Sequence, residues 1–162
     1  MFEKTDKLVK NATRLMAEIS GWVMFAAMAL VTVNVILRTF FNRPILGTLE
    51  WVEILTSVTI SFGLAYCAYT GSHIAIDFIV EKMKHKSRKV LAIVYTFLST
   101  VFMLGVTISI FDYAGKIARS GQVSPTTKIP FYIFIYITGI GFLALVAVLF
   151  IDLIKSIRKK VE

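Results

Sequence analysis

Four long apolar stretches separated by short polar segments dominate the pattern of this 162-residue chain. A helix needs about 20 apolar residues to cross the roughly 30 Å hydrocarbon core of a bilayer. Each stretch reaches that length, and none carries a proline beyond its first turn, as expected for a helix that must bond its own backbone in lipid. The pattern predicts four transmembrane helices, at about residues 15–37, 54–72, 90–111 and 129–151.

Two further segments are amphipathic. Ahead of the first predicted span, apolar residues from Phe2 to Ile19 recur at helical spacing, and the lysines between them fall on the other face. A similar segment follows the second span at residues 74–83. Both are predicted to lie at the membrane interface, among lipid head groups. The predicted fold class is therefore an all-α membrane protein with four transmembrane helices and amphipathic interfacial segments, in one domain comprising residues 1–162.

Composition supports a bilayer as the solvent. Hydrophobic residues make up 57% of the chain and charged residues 17%, with a mean hydropathy of +0.76, against about 45–50% and about 25% in soluble proteins. So few polar residues argue against a self-contained catalytic domain, and we predict that the protein is not an enzyme. The single cysteine, Cys67, excludes an internal disulfide, a paired-thiol redox site and a cysteine zinc site.

The net charge of +8 is distributed in clusters between the spans. Thirteen of the 18 cations precede the first span, separate the second from the third, or follow the fourth. Because cytoplasmic loops of membrane proteins carry the excess of Lys and Arg, both termini are predicted to be cytoplasmic. This clustering indicates anionic lipids as partners and no nucleic acid. The two remaining loops hold the other five cations: Arg38, Arg43, Lys116, Arg119 and Lys128.

Two carboxylates, Glu50 and Glu53, bracket Trp51 at the start of the second span. One interpretation is a paired site for a cation or for protons, since acids in membranes often mark ion pathways. The other is structural, because acids stabilise a helix N-terminus and tryptophan anchors at the interface. We favour the structural interpretation, in which Arg38 and Arg43, across the same short loop, are expected to pair with these acids.

His73 and Asp77 are four residues apart, so they would share one face of a helix. No third ligand stands at a suitable spacing, which disfavours a metal site, and a hydrogen bond between the two side chains is preferred. Both histidines lie outside the apolar stretches, so a haem held within the bundle is not expected. No metal and no cofactor is predicted.

Small residues define packing faces on two spans. Ser57, Ser61 and Ala65 recur every four residues on the second, and Gly139 and Gly141 lie on the fourth. Such faces allow close approach of another helix. The spans contain almost none of the convergent polar groups that form the midplane site of a transporter. The sequence therefore favours a scaffold for a larger partner over an independent carrier.

Several fragments together resemble the small membrane subunit (DctQ/SiaQ-like) of tripartite ATP-independent periplasmic (TRAP) transporters. The similarity extends over about residues 15–150, and the order and spacing of the fragments carry it. They are RTFFNRP at 38–44, EWVE at 50–53, GLAY at 63–66, HIAID at 73–77, and the stretches 124–130 and 136–142.

This resemblance implies a bacterial inner-membrane transporter with three components. A periplasmic substrate-binding protein would deliver an organic carboxylate, such as a four-carbon dicarboxylate or sialic acid, and a large elevator-type permease subunit would carry it with sodium. The small subunit would brace the large one. The resemblance assigns structural or docking roles to Arg38, Arg43, Glu50, Trp51, Glu53, His73 and Asp77, and the exposed cations Lys116, Arg119 and Lys128 are candidates for docking the binding protein.

Two other classes of membrane protein remain open. A membrane-anchor subunit of a respiratory complex requires little beyond packing surfaces, so the sequence is compatible with it. A small multidrug-type exporter also has four spans, but it needs an acid deep in its first helix, and Glu18 lies near the end of that span.

Overall fold

Four α-helices account for nearly all of the described chain. The computed structural model describes the backbone of residues 2–70 and 85–158 and the side chains of residues 8–70, 91 and 93–154. The helices are α1 (Phe2–Phe41), α2 (Thr48–Tyr69), α3 (His85–Ser120) and α4 (Phe131–Arg158). Each contains a stretch long and apolar enough to cross a membrane: Leu8–Phe41, Thr48–Tyr69, Ile93–Ser120 and Phe131–Ile154. The predicted all-α fold with four spans is confirmed.

The first helix differs from expectation in its length. It runs without interruption for 40 residues, or roughly 60 Å at 1.5 Å per residue, so the chain does not form a separate interfacial segment before the first span. With no proline in this stretch, each turn can continue the hydrogen-bond ladder of the one before. The second predicted interfacial segment, residues 74–83, lies outside the described residues.

Residues with a left-handed backbone conformation flank the helices at one end of the bundle. Asn42 (φ 50°) follows α1, where the Arg43 N–H donates to the Leu37 carbonyl oxygen at 3.2 Å. Gly47 (φ 78°) precedes α2, and Gly121 (φ 65°) follows α3. These residues reverse the chain within the two short connections, 42–47 and 121–130. We call the end of the bundle that carries both connections the loop end.

The helices pack in the order α1, α2, α4, α3. α1 packs along α2, α2 along α4 and α4 along α3, while α1 touches α4 only slightly. The helices α2 and α3 make no extensive contact with one another, so a cleft lies between them with α4 as its floor. The bundle is consequently an open row of helices.

Small residues make the central contact between α2 and α4. Ser61 and Ala65 are fully buried, and a Cβ atom built on Gly141 would lie 2.6 Å from the Ser61 Oγ. Next to them, Ala65 and Ala68 join Leu145, Val148 and Leu149 of α4 in the hydrophobic core. The predicted packing role is confirmed for Ser61, Ala65 and Gly141, whose small size allows the two backbones to approach closely, whereas Ser57 is exposed.

The two outer helices remain largely exposed. In the most apolar part of each helix, 28% of the residues of α2 and of α4 are buried, compared with 6% in α1 and 11% in α3. Bulky side chains such as Trp22 of α1 and Phe102 of α3 have no cover within the described chain. Lipid or a partner protein must therefore cover these apolar flanks.

We expect Gly141→Ala to lower the free energy of unfolding by about 1–3 kcal/mol, because the added methyl group would overlap Ser61 in a packed contact. Gly105→Ala is the matched control, since a Cβ at Gly105 of α3 meets nothing within 4 Å; its effect should stay below about 0.5 kcal/mol. Unfolding in detergent measures both, and Ser61→Gly should restore much of the loss. Equal effects of the two glycine substitutions would contradict this packing.

Candidate functional site at the loop end

The carboxylate of Glu50, in the first turn of α2, accepts hydrogen bonds from three residues of the connection between α3 and α4. The Thr127 hydroxyl donates at 2.7 Å, the Thr126 N–H at 3.0 Å and the Thr127 N–H at 3.2 Å. The Ser124 hydroxyl also donates to this carboxylate. We call Glu50, Ser124, Thr126 and Thr127 the Glu50 clasp. It ties the α1–α2 hairpin to the α3–α4 hairpin.

The connection at 121–130 is folded so that its donors converge. Val123 and Pro130 form an antiparallel bridge, in which the Ser124 N–H donates to the Ile129 carbonyl oxygen at 3.0 Å. The Lys128 N–H closes the turn on the Ser124 carbonyl oxygen at 3.2 Å, with Lys128 itself at φ 55°. The turn leaves the amides of residues 126 and 127 free to point at an anion, as in other backbone anion sites.

Close packing fixes the clasp against the start of α2. Gly47 lies beneath Thr127, and a Cβ added there would overlap the Thr127 Cγ2. Its left-handed conformation (φ 78°) also disfavours any residue with a side chain. Ser124 is 1% exposed and Thr48 9%. The ionised carboxylate is thus held by charge-assisted hydrogen bonds in a partly buried setting, where such bonds are strongest.

The shorter connection is fixed by a second polar contact. The Asn34 Oδ1 in α1 accepts a hydrogen bond from the Ile45 N–H at 2.7 Å, and the Thr48 hydroxyl donates to the Ile45 carbonyl oxygen at 2.7 Å. Asn34 therefore binds the chain that leaves its own helix. Together with the Glu50 clasp, this contact holds both connections of the loop end in one arrangement.

The predicted pairing of Arg38 and Arg43 with Glu50 and Glu53 is wrong. Neither arginine forms an ion pair with either acid within the described residues, and both arginines are exposed. The oxygens of Glu50 are already bound by neutral donors of the other hairpin, which lie nearer than the arginine side chains. Glu50 and Glu53 also do not form a paired site for one cation or proton, because Glu53 lines the cleft between α2 and α3.

Of the remaining predicted residues, one packs against another helix and the others are exposed to solvent or lie outside the described residues. Trp51 is half-buried and meets Phe134 of α4 edge to face, with 6.2 Å between ring centroids. Lys116 forms an exposed ion pair with Asp112 one turn earlier, at 2.7 Å. Arg119 and Lys128 are exposed at the loop end. His73 and Asp77 lie outside the described residues, and their expected hydrogen bond stays a prediction.

Sequence reasoning missed the donors that bind Glu50. Ser124, Thr126 and Thr127 surround Pro125 in the stretch SPTT, a composition typical of a turn. The signal that could have found them is this turn, because a turn can leave two backbone amides free to bind an anion. Nothing in the sequence relates it to an acid more than 70 positions earlier.

As for metals, no group of three or more His, Cys, Asp or Glu side chains comes together in the part of the chain that the structure describes.

Comparison with known proteins identifies the family. Residues 27–159 match the model of the DctQ component of tripartite ATP-independent periplasmic transporters. This region contains the Glu50 clasp, the cleft, the last part of α1 and all of α2, α3 and α4. The chain belongs to the DctQ family. The family is one of TRAP transporter components and not of enzymes.

A relative supports the same assignment. The DctQ chain is 28% identical over 88 residues to a protein of Haemophilus influenzae described as a TRAP transporter small permease protein. The matched region covers 54% of this chain and 53% of that relative, so the chain matches about half of the relative's length. The family resemblance inferred from the sequence fragments is confirmed.

We expect Glu50→Gln in this DctQ chain to lower the free energy of unfolding, because the amide removes the charge and turns one acceptor into a donor facing other donors. Hydrogen exchange at the amides of residues 126 and 127 should accelerate. Glu53→Gln, three residues later, is the control, since Glu53 is exposed; it should change stability by less than about 0.5 kcal/mol. If the two variants unfold alike, the clasp does not stabilise the fold.

Proposed function

We propose that this DctQ chain is the small permease subunit of a TRAP transporter and serves as its stationary brace. In this assembly a large elevator-type permease subunit carries an organic carboxylate, such as a four-carbon dicarboxylate or sialic acid, together with sodium. A periplasmic binding protein delivers the carboxylate. The termini face the cytoplasm and the loop end faces the periplasm, which agrees with the positive-inside distribution of cations.

The Glu50 clasp is the observation that carries this proposal. Hydrogen bonds between the two hairpins resist sliding of one hairpin against the other, because any shift would leave Ser124 and the two amides unpaired near a partly buried carboxylate. Movement of a cargo through a membrane protein requires parts that shift relative to one another. A subunit pinned at one end by such bonds suits the fixed part of an elevator.

The polarity within the spans supports the same role. The hydroxyls of Thr32, Thr59 and Thr107 donate to carbonyl oxygens one turn earlier in their own helices, at 2.8–2.9 Å. Hydroxyls bonded in this way are not presented to a solute. A midplane site for a charged cargo needs convergent groups that replace its water, and the large subunit would supply them. The exposed flanks of α1 and α3 provide apolar surface for contact with that subunit.

Reconstituted uptake tests the proposed assembly. Proteoliposomes that contain the large subunit and this chain, with the binding protein outside, should take up the carboxylate only in a sodium gradient. Liposomes with this chain alone should show no uptake, because the described residues form no site for a charged cargo. Uptake by the isolated chain, or full uptake without it, would contradict the proposal. Co-purification with oxidoreductase subunits in place of a large permease would favour the respiratory anchor.

The cations at the loop end provide a docking surface for an acidic face of the binding protein in this proposal. Arg119→Glu with Lys128→Glu should weaken uptake several-fold at low salt, and the difference from wild type should shrink as salt screens the contact. Lys10→Glu with Arg14→Glu reverses as many charges near the opposite end and is the matched control. Unchanged uptake at every salt concentration in the Arg119/Lys128 variant would remove docking from the proposal.

A further inference from the structure

A cavity of about 510 Å³ lies between α2 and α3 near the loop end, with α4 as its floor. Its walls are mainly apolar and include Ile54 of α2, Ile110 of α3 and Phe134 of α4. Glu53 also lines this cavity. The cavity belongs to the gap between two helices that make no extensive contact, so it opens toward the surrounding membrane.

Glu53 differs from its neighbour Glu50 in having no partner. Its carboxylate receives no hydrogen bond and forms no ion pair with any residue that the structure describes, whereas the Glu50 carboxylate is bound by Ser124, Thr126 and Thr127. Glu53 is exposed, so its carboxylate is accessible to a cation or a donor from outside the described chain. The cleft thus presents one unmatched negative charge at its edge.

Glu53 lies toward the loop-end side of this cavity, while Ser57 and Thr138 line it more deeply. Gln122, which follows α3, also lines it. On α3, the ion pair of Asp112 with Lys116 flanks Tyr113, another lining residue, and marks the depth at which charged groups meet lipid head groups. One turn deeper lie apolar residues such as Ile110. A polar rim above an apolar interior is the order of polarity found in a phospholipid.

The size of the gap favours a lipid chain over a transmembrane helix as occupant. One helical turn with its side chains, 10–12 Å wide and 5.4 Å high, fills roughly 400–600 Å³, so the cavity has room for about a single turn. Between the same two helices the cavity at the opposite end measures only about 190 Å³. A flexible acyl chain can occupy spaces of such different volume, whereas a helix keeps one width along its length.

We propose that this cleft binds one phospholipid whose head group carries a primary amine, as in phosphatidylethanolamine. The ammonium group donates hydrogen bonds to the Glu53 carboxylate, and an acyl chain fills the space between α2 and α3. A primary ammonium offers three N–H donors, and a charge pair at the edge of lipid is screened less than one in water. The proposal depends neither on the cargo nor on the binding protein.

Lipid retention tests the site. The full chain is reconstituted in nanodiscs with equal amounts of phosphatidylethanolamine and phosphatidylglycerol, released into mild detergent, and the retained lipid is counted by native mass spectrometry. We expect one retained phosphatidylethanolamine, and Glu53→Gln should reduce its preference over phosphatidylglycerol about tenfold, or about 1.4 kcal/mol. Glu18→Gln is the control, because Glu18 is an exposed acid near the opposite end that pairs with Arg14.

A second pair of variants tests the acyl chain separately. Ser57 is exposed and lines the cavity, so Ser57→Phe should fill the space and abolish retention of either lipid. Thr56→Phe adds the same ring at the neighbouring exposed position, which does not line the cavity, and should leave retention unchanged. Thermal unfolding checks that both variants remain folded.

Three results of the retention measurements would overturn the proposal. They are equal retention of the two lipids by the wild type, an unchanged preference in Glu53→Gln, and equal retention by the two phenylalanine variants. In the complex with the large subunit, a photo-crosslinker at position 57 should label lipid. Labelling of the large subunit alone would show that a protein segment occupies the cleft, and would equally overturn the proposal.

Discussion

A single carboxylate, Glu50, joins the two halves of this molecule. The chain consists of two helical hairpins whose apolar surfaces would be nearly as well accommodated by lipid as by each other, so burial of apolar area gives them little preference for one mutual position. Hydrogen bonds from Ser124, Thr126 and Thr127 supply that preference. They are directional, and their loss would leave donors unpaired beside a charge. The relative position of the hairpins at the loop end depends on them.

The packing below the clasp follows from the same arrangement. Once the hairpins are joined at the loop end, α2 and α4 meet through Ser61, Ala65 and Gly141, which allow the closest approach. α1 and α3 then lie on the outside, and a gap remains between α2 and α3. Such a bundle is not closed on itself. Its outer faces depend on lipid and on partner subunits, which suits a component of a larger transporter.

The two neighbouring acids show how position decides chemistry. Glu50 and Glu53 have the same side chain and lie within one turn of the same helix. Glu50 is directed at the turn of the other hairpin and becomes part of the fold, whereas Glu53 reaches an apolar cavity and keeps its charge available for an external cation. The first is the basis of the proposed role as a rigid brace. The second offers a place where the membrane itself contributes to the structure.

The sequence by itself determined the four helices, their approximate bounds and the small-residue faces of α2 and α4. These features depend on local properties, namely the apolar length needed to cross a bilayer and the side-chain volume at Ser61, Ala65 and Gly141. The fragments around Arg38, Glu50 and Gly63 also sufficed for the family. An uninterrupted α1 was not anticipated, because amphipathic spacing does not show where a helix bends.

Only the tertiary structure decided which groups bind Glu50, why Arg38 and Arg43 do not, and which pair of helices leaves a gap. The bonding residues are separated by more than 70 positions, and a pattern of apolar and polar residues contains no information about such pairs. Proximity along the chain favoured the arginines, whereas the folded turn at 124–128 brings neutral donors closer. Hydrogen bonds act over about 3 Å, so their partners are fixed by the folded arrangement of the helices and not by sequence distance.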